Sequence, residues 1–458
     1  MGASALILAA GEGTRMRSRL PKVMHEILGV PMVRYVVEAA RAAGCDPVVV
    51  VTGHGAEVVE AALPDVATVR QEVQLGTGHA VQCAQQAFEG FDGSLLVLSG
   101  DSPLISADTL RALVEEREAA GASAAVLTAV PDDPRGYGRI VRDDAGRLVQ
   151  IVEERDAPEE IRAVREVNTG FYCFDAQTLF AHLHALDNAN AQGEFYLTDV
   201  VDVFRREGLA VVTATARDAR EAAGVNNRVQ LAEAAKVLQR RINERHMLAG
   251  VTMNDPDLVW IGPSVTLGRD VTLAPMTFLL GETSVADGCV IGPDARVVDS
   301  VVGPDAVIDS SIVVESCVCE GASVGPRAYL RPGTVVRPNA KVGTSVEVKN
   351  SIIGEGSKVP HLSYIGDAEI GVGVNVGAGT ITCNYDGRSK HKTVVEDGAF
   401  IGSDTMLVAP VRIGAGAITG AGSAITRDVP ADALAVERAE QRIVEGWARR
   451  RREQDEEE

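Results

Sequence analysis

The strongest constraint in this chain is a six-residue beat in its second half. From about Ile261 to Ile425 an apolar residue, often followed by Gly or Ala, returns every sixth position. One run is Ile261, Leu267, Leu273, Leu279, Val285, Ile291 and Val297; the phase slips by one and resumes at Val302, Ile308 and Val314. It continues through Val324, Leu330, Val336, Val342 and Val348, and again through Val395, Ile401, Leu407, Ile413, Thr419 and Ile425. Six is even, so along extended backbone every marked residue points to the same side. A helix cannot carry the pattern, because its interior would repeatedly hold Gly and Pro at about 1 and 3 kcal/mol each. The spacing is that of a hexapeptide parallel β-helix, in which one short strand per repeat stacks on the coil below. A sandwich of short strands, the competing all-β architecture, does not keep a fixed six-residue phase.

At 458 residues the chain exceeds one core and implies two or three domains. The formal charge of −20 argues against a nucleic-acid or anionic-membrane partner, which would need a basic face. Seven Cys, an odd number with no C-x-x-C pair, point to a reducing cytoplasm rather than a disulfide framework. The apolar start ASALILAA is too short for a signal peptide or a membrane span.

The first half alternates β and α signals, which implies a largely parallel sheet with helices on both faces. Ser4–Ala10, Val48–Thr52 and Leu95–Ser99 read as strands, Val33–Ala43 and a segment entered at Gly78 as helices. Arg139–Val141 and Leu148–Val152, separated by DDAG, read as an inserted hairpin. The first loop, LAAGEGTRMRSRLPK, lacks the closing G-K-[ST] of a Walker A sequence, and Met16 stands where a dinucleotide fingerprint needs its third Gly. A Gly-rich turn with Arg15 and Lys22 close behind can cradle and neutralise a phosphate chain. Either cation alone reads as a solvated surface residue. Asp101 ends the strand LLVLSGD, where ligands bind in open α/β sheets. It can hold Mg²⁺ together with substrate phosphates, or equally cap the following turn.

LAAGEGTRM…LPK closely resembles the signature of the sugar-phosphate nucleotidyltransferases. QLGTGHA (Gln74–Ala80), GYGRI (Gly136–Ile140), IVEERDA (Ile151–Ala157), NTG (Asn168–Gly170) and GVNNR (Gly224–Arg228) follow in that family's order. With the hexapeptide region behind them, nearly the whole chain is similar to the bifunctional family that joins an N-acetylglucosamine-1-phosphate uridylyltransferase to a glucosamine-1-phosphate acetyltransferase. The resemblance implies an α/β Rossmann-like nucleotidyltransferase domain (1–226), a linker helix (227–250), a left-handed parallel β-helix (251–436) and a partly disordered tail (437–458). The left hand comes from the family, since parallel crossovers are in general right-handed.

The resemblance also implies site residues. Mg²⁺ would take Asp101 and Asn226, the uracil of UTP would meet Gln71, Gly76 and Thr77, and the sugar would meet Gly138, Glu153 and Asn168. Arg15 and Lys22 would neutralise charge during in-line attack on the α-phosphorus of UTP. Ser99 departs from the family, which often has an aromatic before Gly-Asp, and this leaves one nucleotide- or sugar-side contact open.

Between the halves, Leu231, Ala235, Leu238 and Ile242 share one helical face, with Asn227 placed to cap the start and Gly250 the end. A helix bridging two domains fits this pattern; a short coiled-coil segment is the alternative. In the second half, residues 327–392 hold nine Lys or Arg against five Asp or Glu. Arg331, Arg337, Lys349, Lys390 and Lys392 are therefore candidates for an anionic substrate. The hexad phase breaks at TCNYDGRSKHKT (Thr382–Thr393), which must leave the coil as a loop. His361, within KVPHLSYIGD, reads as structural when taken alone. The resemblance makes it the general base of acetyl transfer, a role for which neutral imidazole is suited. It also places Arg331, Lys349, Tyr364, Asn375 and Lys390 on the sugar phosphate, with Asn384 and Tyr385 near the reacting centre. Ala378, Ser403, Ala421 and Arg438 would serve acetyl-CoA. It further implies a cytoplasmic homotrimer with a shared site, acting on small sugar phosphates with no nucleic-acid or membrane partner. Two other readings compete: a single-activity nucleotidyltransferase whose β-helix only assembles it, and a non-enzymatic regulatory subunit. The stretch His361–Lys392 argues against the first, and Arg15, Lys22 and Asp101 against the second. The tail RRRREQDEEE has opposed charge blocks and no apolar face, so no order is expected there.

Overall fold

Burial of strand Gly2–Leu8 between two layers of helices organises the first part of the computed structural model, which describes residues 2–457. The sheet runs Val211–Thr215, Ala124–Ala129, Val167–Asp175, Gly93–Ser99, Gly2–Leu8, Cys45–Thr52, Ala67–Arg70. All neighbours on this path are parallel except Val167–Asp175, which is antiparallel to both of its partners. The expected hairpin is present as Arg139–Arg142 and Leu148–Val152, joined to the sheet through Val167. Side chains alternate between the faces. Leu6, Val51, Leu95 and Val97 belong to one core, with Leu179 and Phe204 of the covering helices; Ile7, Val50, Leu96 and Leu98 belong to the other, with Val36, Leu110 and Leu113. Burial on both sides is why these strands are apolar throughout rather than alternating.

The chain divides into two units after Leu238, inside the helix Arg228–Leu248. The Asn227 carboxamide oxygen accepts from the amides of Val229 at 2.9 Å and Gln230 at 3.0 Å, so the expected cap is formed. Ala234 and Leu238 pack with Ile27, Met32, Leu104 and Val225. Further along the helix Gln239 and Asn243 are also buried, although both are polar. Gln239 Nε2 donates to the Val259 carbonyl at 2.7 Å, and Asn243 Nδ2 to those of Pro256 at 2.7 Å and Val259 at 2.9 Å.

The second unit is a triangular parallel β-helix. Three sheets of eleven, ten and nine strands begin at Thr252–Met253, Val259–Ile261 and Thr266–Leu267, and each strand pairs with the one three further on, except that Ile418–Thr419 pairs with Leu434–Ala435, two further on. The marked apolar residues point inward, Leu279, Val297, Leu330 and Val348 being fully buried. One position is corrected: in strand Ile312–Val314 the buried residue is Val313, because this coil is short. Val259 pairs with Thr277, eighteen residues on, whereas Arg296 pairs with Ile312, only sixteen on. Ile381 pairs with Met406, twenty-five on, and the surplus is the extruded loop. Buried threonines close the corners: the hydroxyls of Thr277, Thr334 and Thr380 each donate to the carbonyl three residues back at 2.7 Å. The tail expected to lack order carries a helix, Trp447–Glu457. Arg and Glu are strong helix formers; Arg449 lies 3.9 Å from Glu453 one turn on, and Arg451 sits 5.6 Å over the Trp447 ring.

Coils this close leave no room at some corners. A Cβ added to Gly354 would lie 2.0 Å from the Gly371 carbonyl oxygen, a backbone atom of the next coil. Overpacking of this kind costs about 1–3 kcal/mol. Gly354→Ala should therefore lower the thermal midpoint of the β-helix by roughly 2–10 °C, measured by scanning calorimetry; an unchanged midpoint would show that the corner yields freely.

Candidate functional site

Strands Gly2–Leu8 and Gly93–Ser99 end level with each other, Leu8 pairing with Ser99, so the loops after them leave the sheet side by side. A cleft of about 650 Å³ opens there, lined by Gly11, Glu12, Gln71, Gly76, Thr77, Ser99, Glu153 and Asn168 among others. Asn168 Nδ2 donates to the Tyr172 hydroxyl at 2.7 Å, and the Gly138 carbonyl accepts from the Asn168 amide at 2.8 Å. Gly138 thus lies against two of the expected sugar residues, for a Cβ there would meet Asn168 Cβ and Glu153 Oε1, both at 3.5 Å. Thr77 accepts from the Leu197 amide at 3.0 Å, which ties the helix Thr77–Cys83 to the far wall.

Four charged and polar side chains converge beside this cleft. Lys22 Nζ donates to the Asp101 carboxylate and, at 3.1 Å, to Asn226 Oδ1. Arg15 Nη2 donates to the same Asn226 oxygen at 2.8 Å. The backbone joins in, with the Val225 amide bonded to the Asp101 carbonyl at 2.9 Å. Burial pushes the Asp101 carboxyl up, but the Lys22 charge and hydrogen bond, helped by Ser99 and Ser102, hold it below the usual range. Ser99 therefore has a contact the sequence did not disclose: its hydroxyl donates to Asp101 Oδ1 at 2.8 Å, and it lines the cleft as well. Asp101 Oδ2 and Asn226 Oδ1 meeting one ammonium form a hard-oxygen pair that suits Mg²⁺, an ion that fills its shell with water and phosphate.

In the second unit, register decides what meets what. Arg331 follows strand Tyr329–Leu330, and on the next coils its position is taken by Lys349 and Gly366. Gly366 lacks a side chain, and a Cβ there would lie 2.4 Å from the Tyr364 hydroxyl, so the tyrosine ring fills that space. Lys390 of the extruded loop reaches Lys349, and this neighbouring ammonium, with burial, lowers the Lys349 pKa. Asp367 is pushed up by burial but held down by Asn350, Asn384, Lys349 and Lys390. Arg331 donates to Glu347 at 2.8 Å. Crowded like charges of this kind are relieved by a bound anion. The other two cations of the sequence argument stand apart: Lys392 is bonded to Glu369, and Arg337 follows strand Val335–Val336 of another sheet. Tyr385 is exposed in the loop, where it bridges to Lys390.

His361 ends strand Lys358–His361 at the corner before strand Tyr364–Gly366. Lys358 pairs with Asn375, Asn375 with Phe400, and Phe400 with Ile418. Carried three residues on, that register stacks Ala378, Ser403 and Ala421 above His361 along one edge. The Ala378 carbonyl accepts from the Asp404 amide at 2.6 Å, that of Ser403 from Gly422 at 2.8 Å, and that of Ala421 from Arg438 Nη1 at 3.1 Å. All four residues expected at the acyl donor thus share one edge.

The region 5–195 matches the MobA-like NTP transferase domain, and 290–371 the GlmU-like C-terminal hexapeptide region. The bifunctional protein GlmU of Heliobacterium modesticaldum is 53% identical over 449 residues, 98% of each chain. The chain belongs to the GlmU family. Its GlmU relative from Caldanaerobacter subterraneus is 50% identical over 98% of each chain, and that from Carboxydothermus hydrogenoformans 51% over 95% of this chain and 98% of its own. The left-handed β-helix and the nucleotidyltransferase sheet are the two halves of this family's architecture. Among the described residues no helix is long and apolar enough to cross a membrane.

Beside the cleft lies an acidic cavity shared by Glu153, Asp156, Asp187, Asp199 and Asp202. Burial, then Asp202, Asp187 and Asp156, push Asp199 up to about 6. A raised carboxyl binds its proton earlier when folded than when unfolded, so stability falls as pH rises from about 4 through 6 and stays lower above. Asp199→Asn should stabilise the chain by about 1–2 kcal/mol at pH 7.5 and not at pH 4, read from denaturant midpoints across that range. Parallel curves for the two proteins would mean that the cavity imposes no charge penalty.

Proposed function

We propose that the chain makes UDP-N-acetylglucosamine by two transfers, one in each unit. In the β-helix the amine of glucosamine-1-phosphate attacks the thioester carbonyl of acetyl-CoA; a C–N bond forms, the C–S bond breaks, and coenzyme A leaves. His361 takes the amine proton. Arg331, Lys349, Tyr364, Asn375 and Lys390 hold the sugar phosphate, with Asn384 and Tyr385 near the reacting centre. Ala378, Ser403, Ala421 and Arg438 hold the acyl donor. In the first unit a phosphate oxygen of N-acetylglucosamine-1-phosphate attacks the α-phosphorus of UTP, and pyrophosphate leaves with the broken P–O bond. Gln71, Gly76 and Thr77 meet the uracil, Gly138, Glu153 and Asn168 the sugar, while Arg15 and Lys22 neutralise the phosphates. Mg²⁺ would be held by Asp101 and Asn226 and would supply charge neutralisation across the phosphates.

The observation that carries this reading is the convergence of Arg15, Lys22, Asp101 and Asn226 beside the cleft that contains Gln71, Glu153 and Asn168. A β-helix serving only for assembly leaves the Arg331–Lys349–Lys390 cluster without a purpose. A homotrimer is supported by the outer faces of the prism, where Val301, Val307, Ile312, Phe400 and Ile418 are exposed and a closed cyclic assembly would bury them. Seven free cysteines favour the cytoplasm.

Asp101→Asn should abolish Mg²⁺-dependent pyrophosphate release and leave acetyl transfer intact; loss of both in a folded variant would refute separate sites. His361→Ala should slow acetyl transfer by about 10² to 10⁴ with acetyl-CoA affinity and uridylyl transfer retained. A stable variant with normal acetyl transfer would remove His361 from the chemistry. Sedimentation of the full chain should give three protomers, and a fully active monomer would contradict a shared site.

A further inference from the structure

His79 and Cys83 lie one turn apart on helix Thr77–Cys83 and form a line of directed hydrogen bonds with Gln71, which is buried in the cleft wall. Gln71 Nε2 is 3.1 Å from the Gly76 carbonyl oxygen and 3.0 Å from His79 Nδ1. A carbonyl oxygen can only accept, so the Gln71 atom facing it is the amide nitrogen, and this contact fixes which way the amide points. The second amide hydrogen then goes to His79, whose Nδ1 must present a lone pair. A neutral imidazole with a bare Nδ1 keeps its proton on Nε2, and Nε2 lies 3.7 Å from Cys83 Sγ, a weak acceptor. Burial raises the Cys83 thiol, which keeps the sulfur uncharged at neutral pH.

Both hydrogens of the Gln71 amide are thus taken up inside the protein. Its Oε1 makes no hydrogen bond with the described residues and remains the group that Gln71 offers to the cleft. An acceptor there pairs with the N3–H of uracil, whereas cytosine brings a bare N3 and is repelled. We propose that His79 is a positioning residue that sets pyrimidine specificity, locking the Gln71 amide so that its oxygen faces the base. The inference rests on the reading that Gln71 meets the uracil. Gly76 alone would bias the amide by one hydrogen bond. With the His79 proton held on Nε2, rotating the amide by half a turn replaces two hydrogen bonds by two contacts between acceptors, so the preference is compounded.

The test measures kcat/KM for UTP and for CTP with the full chain carrying His79→Leu or His79→Asn, using a circular-dichroism melt and acetyl transfer to establish folding. The Asn Oδ1 falls where the imidazole Nδ1 was and keeps an acceptor; Leu offers none. His79→Leu should lower the UTP-to-CTP ratio on the order of tenfold, chiefly through KM for UTP, and His79→Asn should preserve it. A folded Leu variant with the wild-type ratio overturns the proposal. So does an equal loss in both variants, which would trace the effect to packing. Nitrogen-15 spectra of histidine-labelled wild-type protein give an answer that needs no variant: an unprotonated Nδ1 on His79 is expected, and a protonated one overturns the proposal. Wild-type protein that uses neither UTP nor CTP would sink the uracil reading itself, a distinct result.

Discussion

Parallel hydrogen bonding from coil to coil is the constraint on which the second unit depends. Once a strand is in register with the strand below, every position has a fixed neighbour about 4.8 Å above it. That ladder carries Arg331 to Lys349 and Gly366, and His361 to Ala378, Ser403 and Ala421. Side chains many residues apart are aligned by backbone geometry rather than by contacts of their own. The twenty-five-residue interval between Ile381 and Met406 does not disturb the stack, because the loop leaves and returns in register. Rigid backbone below and a loop from one coil above is an economical way to combine order with reach.

The first unit solves the same problem by different means. Arg15, Asp101 and Asn226 come from three distant segments, and the sheet brings two of them together by ending Leu8 level with Ser99. The third is tied on through the Val225 amide on the Asp101 carbonyl. Lys22 then balances a carboxylate whose pKa burial alone would raise. Charge here is arranged in advance of any substrate, so little reorganisation is required when phosphates arrive.

Much of this was legible because periodicity survives translation into structure. A six-residue beat with Gly at the corners admits few folds, and strand-end Asp101 announced itself by position. Val314 was misread in place of Val313 because a sixteen-residue coil shifts phase without any marker. Asn226 was visible only by resemblance: an Asn before a helix reads as a cap, and its neighbour Asn227 is one. Gln239 and Asn243 went unnoticed since apolar spacing cannot see a polar residue that is buried to satisfy carbonyls. The tail was misjudged from its lack of an apolar face, although Arg and Glu form helix readily on intrinsic propensity.

Those two buried polar residues bear on association as well as on folding. A β-helix has open ends, and the last strand at each end presents unpaired backbone groups that invite another strand. At the end that begins with Val259–Ile261, the Val259 carbonyl already accepts from both Gln239 and Asn243. The side chains of a helix stand in for the absent coil, so an incoming strand finds an acceptor already engaged. The two carboxamides thereby occupy one of the acceptors that growth of the prism into a filament would need.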